Sequence, residues 1–211
     1  MRERYNMMLD AVRRWLGWGQ SLPAWDELSA WARAGRWTLK RTLGHEGWVM
    51  DGDAHPGWRV EWGPAQRRFM GTHELRVRVE VPGMPETMQA LVLDRPLLAR
   101  LDQAVYEQFT DNVQTRLDDE TPEEMRWLAM HAKLSPNQVG PRARDRYGAL
   151  CNDPDWMAAW LAGPLGEALG RRAEVLSFDR APSHPFVLRL ARGQLVLRQG
   201  VDEPVVGLLQ S

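Results

Sequence analysis

Residues 57 to 81 alternate between apolar and charged side chains, and this alternation constrains the fold more than any other feature of the chain. In GWRVEWG, Trp58, Val60 and Trp62 project to one side of an extended backbone, and Arg59 and Glu61 to the other. In HELRVRVEV, Leu75, Val77, Val79 and Val81 share one side while Glu74, Arg76, Arg78 and Glu80 take the opposite one. A period of two excludes an amphipathic helix, whose apolar stripe recurs about every 3.6 residues. It demands a sheet with one apolar face that must be covered and one charged face. The tryptophans therefore read as core rather than as a ligand-gripping surface.

The same alternation extends to neighbouring segments. Residues 36–42, 46–51, 57–63, 74–82 and 87–93 read as five strands, separated by the turn-forming stretches GHEG, DGDAHPG, GPAQ and PGMPE. The expectation is a meander of antiparallel hairpins. One register sets Arg59 opposite Glu80 and Glu61 opposite Arg78, which makes the charged face a self-neutralising exterior. With three arginines and three glutamates and no aromatic side chain, that face lacks the basic, aromatic character of a nucleic-acid platform.

Helical periodicity flanks this block. Tyr5, Met8, Leu9, Val12 and Leu16 form one stripe, and Trp25, Leu28, Trp31 and Ala32 a second that Gly35 ends. After Asp94, an N-cap candidate, Leu98, Leu101, Val105, Phe109 and Val113 share a helix face. Thr121, Pro122 and Glu124 suggest a capping box, and residues 152–170 resume helix. KLSPNQVGPRARDRYG between them reads as a linker, and the stretches 172–179, 185–191, 194–199 and 204–209 as a second strand block. The fold class is α+β: an antiparallel sheet of about five strands at 36–93 covered by helices, then a helical block and a C-terminal antiparallel block. A division at 1–118 and 119–211 follows, with the two parts allowed to form one continuous domain.

Composition narrows the function classes. The net charge of -1 supplies no long-range field for nucleic acid or acidic membranes. Arginines number 25 against two lysines, and isoleucine is absent, a bias that fits a GC-rich bacterial genome. One cysteine, Cys151, excludes an internal disulfide and suits a reducing cytoplasm. The first residues lack a continuous apolar core of the signal-peptide kind, and no apolar run is long enough to span a membrane.

Chemistry-bearing motifs are sparse. Asp51, Asp53 and His55 alternate in DGDAHPG, but they make an incomplete metal set and read as turn residues, so no metal or other cofactor is expected. Cys151 with His131 or His184 lacks a nucleophile context, and the chain holds no G-x-S-x-G, G-x-G-x-x-G or P-loop pattern. Asp118, Asp119, Glu120, Glu123 and Glu124 read as charges favoured at a helix N-terminus. Arg67 and Arg68, in a connection beside Arg76 and Arg78, are the candidate anion or partner contacts.

These observations favour a non-catalytic protein-binding module, adaptor-like, chaperone-like or self-associating. Its 11 tryptophans and 10 methionines are residue types enriched at interfaces. Two alternatives stand beside it. One is an enzyme whose site lies in the strand-connecting loops (His45, Glu46, Asp51, Asp53, His55). The other is an anion binder using Arg67, Arg68, Arg142, Arg144 and Arg146.

Overall fold

The computed structural model describes residues 25–44, 46–52, 57–111, 121–178 and 184–202. The expected N-terminal helix, the strand at 204–209, and His45, Asp53, His55 and Asp118 to Glu120 lie outside the described residues. Helix α1 (Trp25–Ala34) leads into strands β1 (Trp37–Arg41), β2 (Trp48–Gly52), β3 (Trp58–Pro64), β4 (His73–Glu80) and β5 (Gln89–Asp94). Helices α2 (Arg95–Asp111), α3 (Glu123–Met130) and the short α4 (Pro136–Val139) precede β6 (Tyr147–Cys151). Then come α5 (Pro154–Leu161), α6 (Pro164–Phe178), β7 (Phe186–Ala191) and β8 (Gln194–Gly200).

The α+β class holds, but the strands form a single eight-stranded antiparallel sheet ordered β1-β2-β3-β4-β8-β7-β5-β6. The expected meander is correct for β1 to β4 and fails at β5, which leaves β4 and pairs instead with β6 and β7. Burial explains the departure. Ala90 and Val92 project to one face of β5 and Leu91 and Leu93 to the other, all four at most 1% exposed. A strand apolar on both sides needs cover on both, and only the middle of a two-sided core supplies it. The vacated place beside β4 goes to β8, so strands from both halves of the sequence share one sheet.

On the first face, α1 places Leu28 and Ala32 over Trp48, Met50, Val60, Trp62 and Leu75. Farther along that face, α4, α5 and α6 place Val139, Met157, Leu161 and Leu169 over Val92, Ala149, Leu188 and Leu190. On the second face, α2 and α3 place Leu97, Leu101, Trp127 and Leu128 over Leu91, Leu93, Leu150 and Val187. That cover stops near β8, where the second face turns from apolar to charged.

Three local expectations are corrected. Of the strand expected at 172–179, residues 172–178 are the C-terminal half of α6, because Leu169 and Ala173 bury at helical spacing. The expected linker contains α4, opened by a capping box of Ser135 and Gln138, and runs into β6, whose outer side is bridged by Lys133 and Leu134. The Glu124 half of the capping box expected at Thr121 is not made, because Glu124 turns inward and pairs with Arg67. Asp94 does cap α2, accepting from Leu97 N–H at 2.8 Å, while its other oxygen accepts from Phe186 N–H.

Candidate functional site

The charged half of the second face is assembled from β3, β4 and β8, and its register differs by two residues from the expected one. Arg59 lies opposite Arg78, Glu61 opposite Arg76, and Arg76 opposite Arg198. A shift of two keeps every side chain on its face, so the apolar pattern is blind to it. The connection decides it: Ala65 N–H donates to Thr72 O at 2.9 Å, closing the hairpin around a compact excursion that carries a 3-10 turn at Arg68–Met70.

Directly opposed arginines repel, and the structure resolves this with buried carboxylates set between them. Glu61 Oε1 accepts from Arg59 Nε and Arg78 Nη2, both at 2.6 Å, and Oε2 from Arg76 Nε at 3.0 Å. Glu74 Oε1 accepts from Arg76 Nη1 at 3.0 Å, Arg198 Nη1 at 2.6 Å and Gln66 N–H at 3.2 Å. Asp51, projecting from β2, accepts from Arg59 Nη1 at 3.0 Å. The expectation of a charged exterior is therefore wrong in depth. The side chains of Glu74 and Glu61 are 0% and 7% exposed, whereas those of Arg59 and Arg78 are 44% and 38% exposed. Glu61 and Glu74 lie beneath, with Arg76 and Arg198 beside them, and Arg59 and Arg78 stand above.

The 65–72 connection roofs one end of this network. Its Met70 is buried with the α2–α3 core, and Gly200 in β8 lies so close to Met70 O that a Cβ there would collide with it. Arg67 reaches across to the fully buried Glu124 of α3 at 3.0 Å. Glu123, the preceding residue, accepts from Arg189 and, at 3.3 Å, from Arg192 at the β7–β8 turn. That turn has positive φ at Arg192 (51°) and Gly193 (69°), as a two-residue hairpin requires.

Of the residues singled out from sequence, the structure brings Arg67, Arg76 and Arg78 to this network and leaves Arg68 exposed on the roof. Asp51 belongs to β2 rather than to a loop. Arg142, Arg144 and Arg146 are not part of this group. Arg142 pairs with Glu174 of α6, on the first-face side, and Arg144 with Asp145. Cys151 is buried on β6 against Met88 Sδ at 3.7 Å, and burial pushes its thiol upward in pKa. Arg59, Glu61, Glu74, Glu124 and Arg198 complete the site. The alternation marked Arg59, Glu61 and Glu74 as charged-face residues, but nothing in the sequence tells which would be buried.

Two depressions flank Arg59, with cavity volumes of 360 Å³ and 330 Å³. The first is bounded by Glu46, Glu61 and Arg76 and the second by Trp58, Arg78 and Gln194. Among the described residues, no group of three or more His, Cys, Asp or Glu side chains could hold a metal ion, and no helix is long and apolar enough to cross a membrane. Compared with protein-family models, curated proteins and solved structures, the chain finds no match.

Burial alone would raise the pKa of Glu61, but the hydrogen bond from Arg59 and the charges of Arg76 and Arg78 outweigh it and hold the carboxyl below its ordinary 4.5. A carboxylate more acidic in the folded state contributes stability that is full above the unfolded value and lost as pH falls through the folded one. Acid unfolding followed by circular dichroism should therefore show stability declining below pH 4.5. In Glu61→Gln that decline is shallower, because the substituted residue no longer titrates. An identical slope in both proteins contradicts the assignment.

Proposed function

We propose that this chain is a non-catalytic protein-binding module, adaptor-like or chaperone-like, that docks a partner on the open charged half of its sheet. The observation that carries this reading is the unequal cover of the second face. Helices α2 and α3 close it over β7, β5 and β6, while β3 and β4 keep half-exposed Arg59 and Arg78 above a buried Glu61. Arginines held by a carboxylate beneath them have already lost much of their rotamer freedom, so a partner that meets them loses little more. Lys40 of β1 is exposed on the same face, two strands from Arg59. The compartment we propose is a bacterial cytoplasm, in which the buried Cys151 remains a thiol.

The test is affinity capture from the native organism with mass spectrometry, comparing the wild-type chain with Lys40→Ala/Arg59→Ala. Both side chains are exposed, and the buried Glu61 keeps Arg76 and Arg78 in the variant, whose fold circular dichroism checks. A protein recovered by the wild type should drop by about tenfold or more in the variant, as expected for loss of a central arginine anchor. Equal recovery, or recovery of a small molecule in place of a protein, counts against the reading.

A further inference from the structure

We infer that the N-terminal stripe of this same chain, Tyr5, Met8, Leu9, Val12 and Leu16, docks as a helix in an apolar channel that runs along β4 and β8 on the first face. The channel is separate from the docking surface proposed above, which lies on the second face. On the first face the strand register aligns side chains in rows across the sheet. Trp58, Val79, Leu195 and Leu190 make one row, and Val60, Val77, Leu197 and Leu188 the next. Both flanks are sealed: α1 covers Val60, and α4 to α6 cover Leu188 and Leu190, each at most 5% exposed. Between them Val77, Val79, Leu195 and Leu197 stay partly exposed, and Trp58 is 43% exposed. The uncovered strands β4 and β8 are neighbours. Two strands at about 4.8 Å each give a channel roughly 10 Å wide, the diameter of one helix. Its floor of five apolar side chains carries no charge to select an acidic or basic partner.

The occupant follows from where the chain enters α1. Arg41 lies over the Trp25 ring at 4.2 Å, and Trp31 stacks on Trp37. Helix α1 therefore starts at the Arg41 end of β1 and finishes at the Trp37 end. Arg41 pairs with Trp48 and Trp48 with Trp62, so the chain leads into α1 at the Trp62 end of β3, with Trp58 at the other end. Residues 17–24 carry Gly17, Gly19, Ser21 and Pro23, turn chemistry between two helical stripes. Extended, they reach up to about 26 Å, more than the roughly 10 Å between adjacent helices requires. As a helix, residues 5–16 are about 18 Å long. That length takes the stripe back antiparallel to α1, with Leu16 toward Val77 and Leu197 and Tyr5 toward Trp58. Asp10 and Arg14, on the opposite side of the helix, then face water.

Maleimide labelling and cross-linking of the full chain test this. Cys151 is buried, so Val79→Cys supplies the reactive thiol. That thiol labels about tenfold more slowly in the otherwise native chain than beside Leu9→Asp/Val12→Asp, whose carboxylates drive the stripe out of the apolar channel. In a second variant, Leu9→Cys/Val79→Cys, a short bismaleimide joins the two positions within one chain. If the acidic substitutions unfold the sheet, as circular dichroism reports, the cross-link decides alone. Equal labelling rates in folded proteins overturn the inference. It is overturned as well by a cross-link that forms only between two chains, which makes a second copy the occupant. A cross-link to Val79→Cys that forms with Leu208→Cys and not with Leu9→Cys assigns the channel to the C-terminal segment and overturns it too.

Discussion

Glu74→Ala loses about 3–5 kcal/mol of folding free energy in urea denaturation, the cost expected when one partner of a buried ion pair is removed. Glu74 is fully buried, and its Oε1 gathers Arg76, Arg198 and the backbone N–H of Gln66. Without it, Arg76 keeps Glu61, but Arg198, 8% exposed, keeps only a long contact to Gln66 Oε1. A guanidinium taken out of water without a counter-charge accounts for most of the loss. Burial already pulls the Arg198 pKa down, against the opposing charge of Glu74, which marks it as a group that depends on that carboxylate. The double substitution Glu74→Leu/Arg198→Met removes both charges and keeps the volume, so it is expected to cost far less than Glu74→Ala. If the double variant is as unstable as the single one, the loss comes from shape rather than from the uncompensated arginine. Small domains have only about 5–15 kcal/mol in total, so Glu74→Ala takes a large share.

The depth of this network is what the sequence pattern could not convey. Alternation specifies a side of the sheet, and it correctly sorted Trp62, Val60 and Leu75 from Arg59, Glu61 and Arg76. How deep a side chain lies on its face depends on what crosses that face. Here the crossing pieces are the 65–72 connection and α3, brought over by the contact of Met70 with Gly200 and by the Arg67–Glu124 pair. These are contacts between residues far apart in the chain, and no local period records them. The same limit governs strand order. QALVLD and FVLRLA are apolar on both faces, a sign of central strands, yet the exit of β5 from the hairpin series follows from two helical covers that form only once the chain is folded. Trp58 shows the opposite departure: it shares the face of Trp62, but at the first position of β3 it is 43% exposed.

The candidate site inherits these limits. Arg76 and Arg78 were legible as cations on one face, and Arg67 as a cation in a connection, but their buried partners Glu61, Glu74 and Glu124 looked like ordinary surface acids. The consequence for function is direct. In the middle of β3 and β4, half-exposed Arg59 and Arg78 stand over the buried Glu61, while Glu80 at the end of β4 stays exposed.

Trp62→Ala is the second large effect, expected to cost about 3–5 kcal/mol, the range for deleting a buried large aromatic side chain. Trp62 is 5% exposed, stands opposite Trp48 on β2 and Leu75 on β4, and stacks on His73 with ring centroids 4.9 Å apart. Its indole Nε1 donates to Val201 O at 3.1 Å, fastening the end of β8 to β3 across the intervening β4. Truncation therefore opens a cavity under α1 and also releases the end of the strand that joins the two halves of the sheet. Trp62→Phe separates the two contributions. It keeps most of the ring volume and loses the hydrogen bond, so it is expected to fall short of the alanine variant and to cost about 1–3 kcal/mol. Amide exchange at Val201, whose N–H donates to His73 O, should quicken in both variants before global unfolding. Unchanged exchange there, with a stability loss confined to the alanine variant, would mean that the indole acts by packing alone.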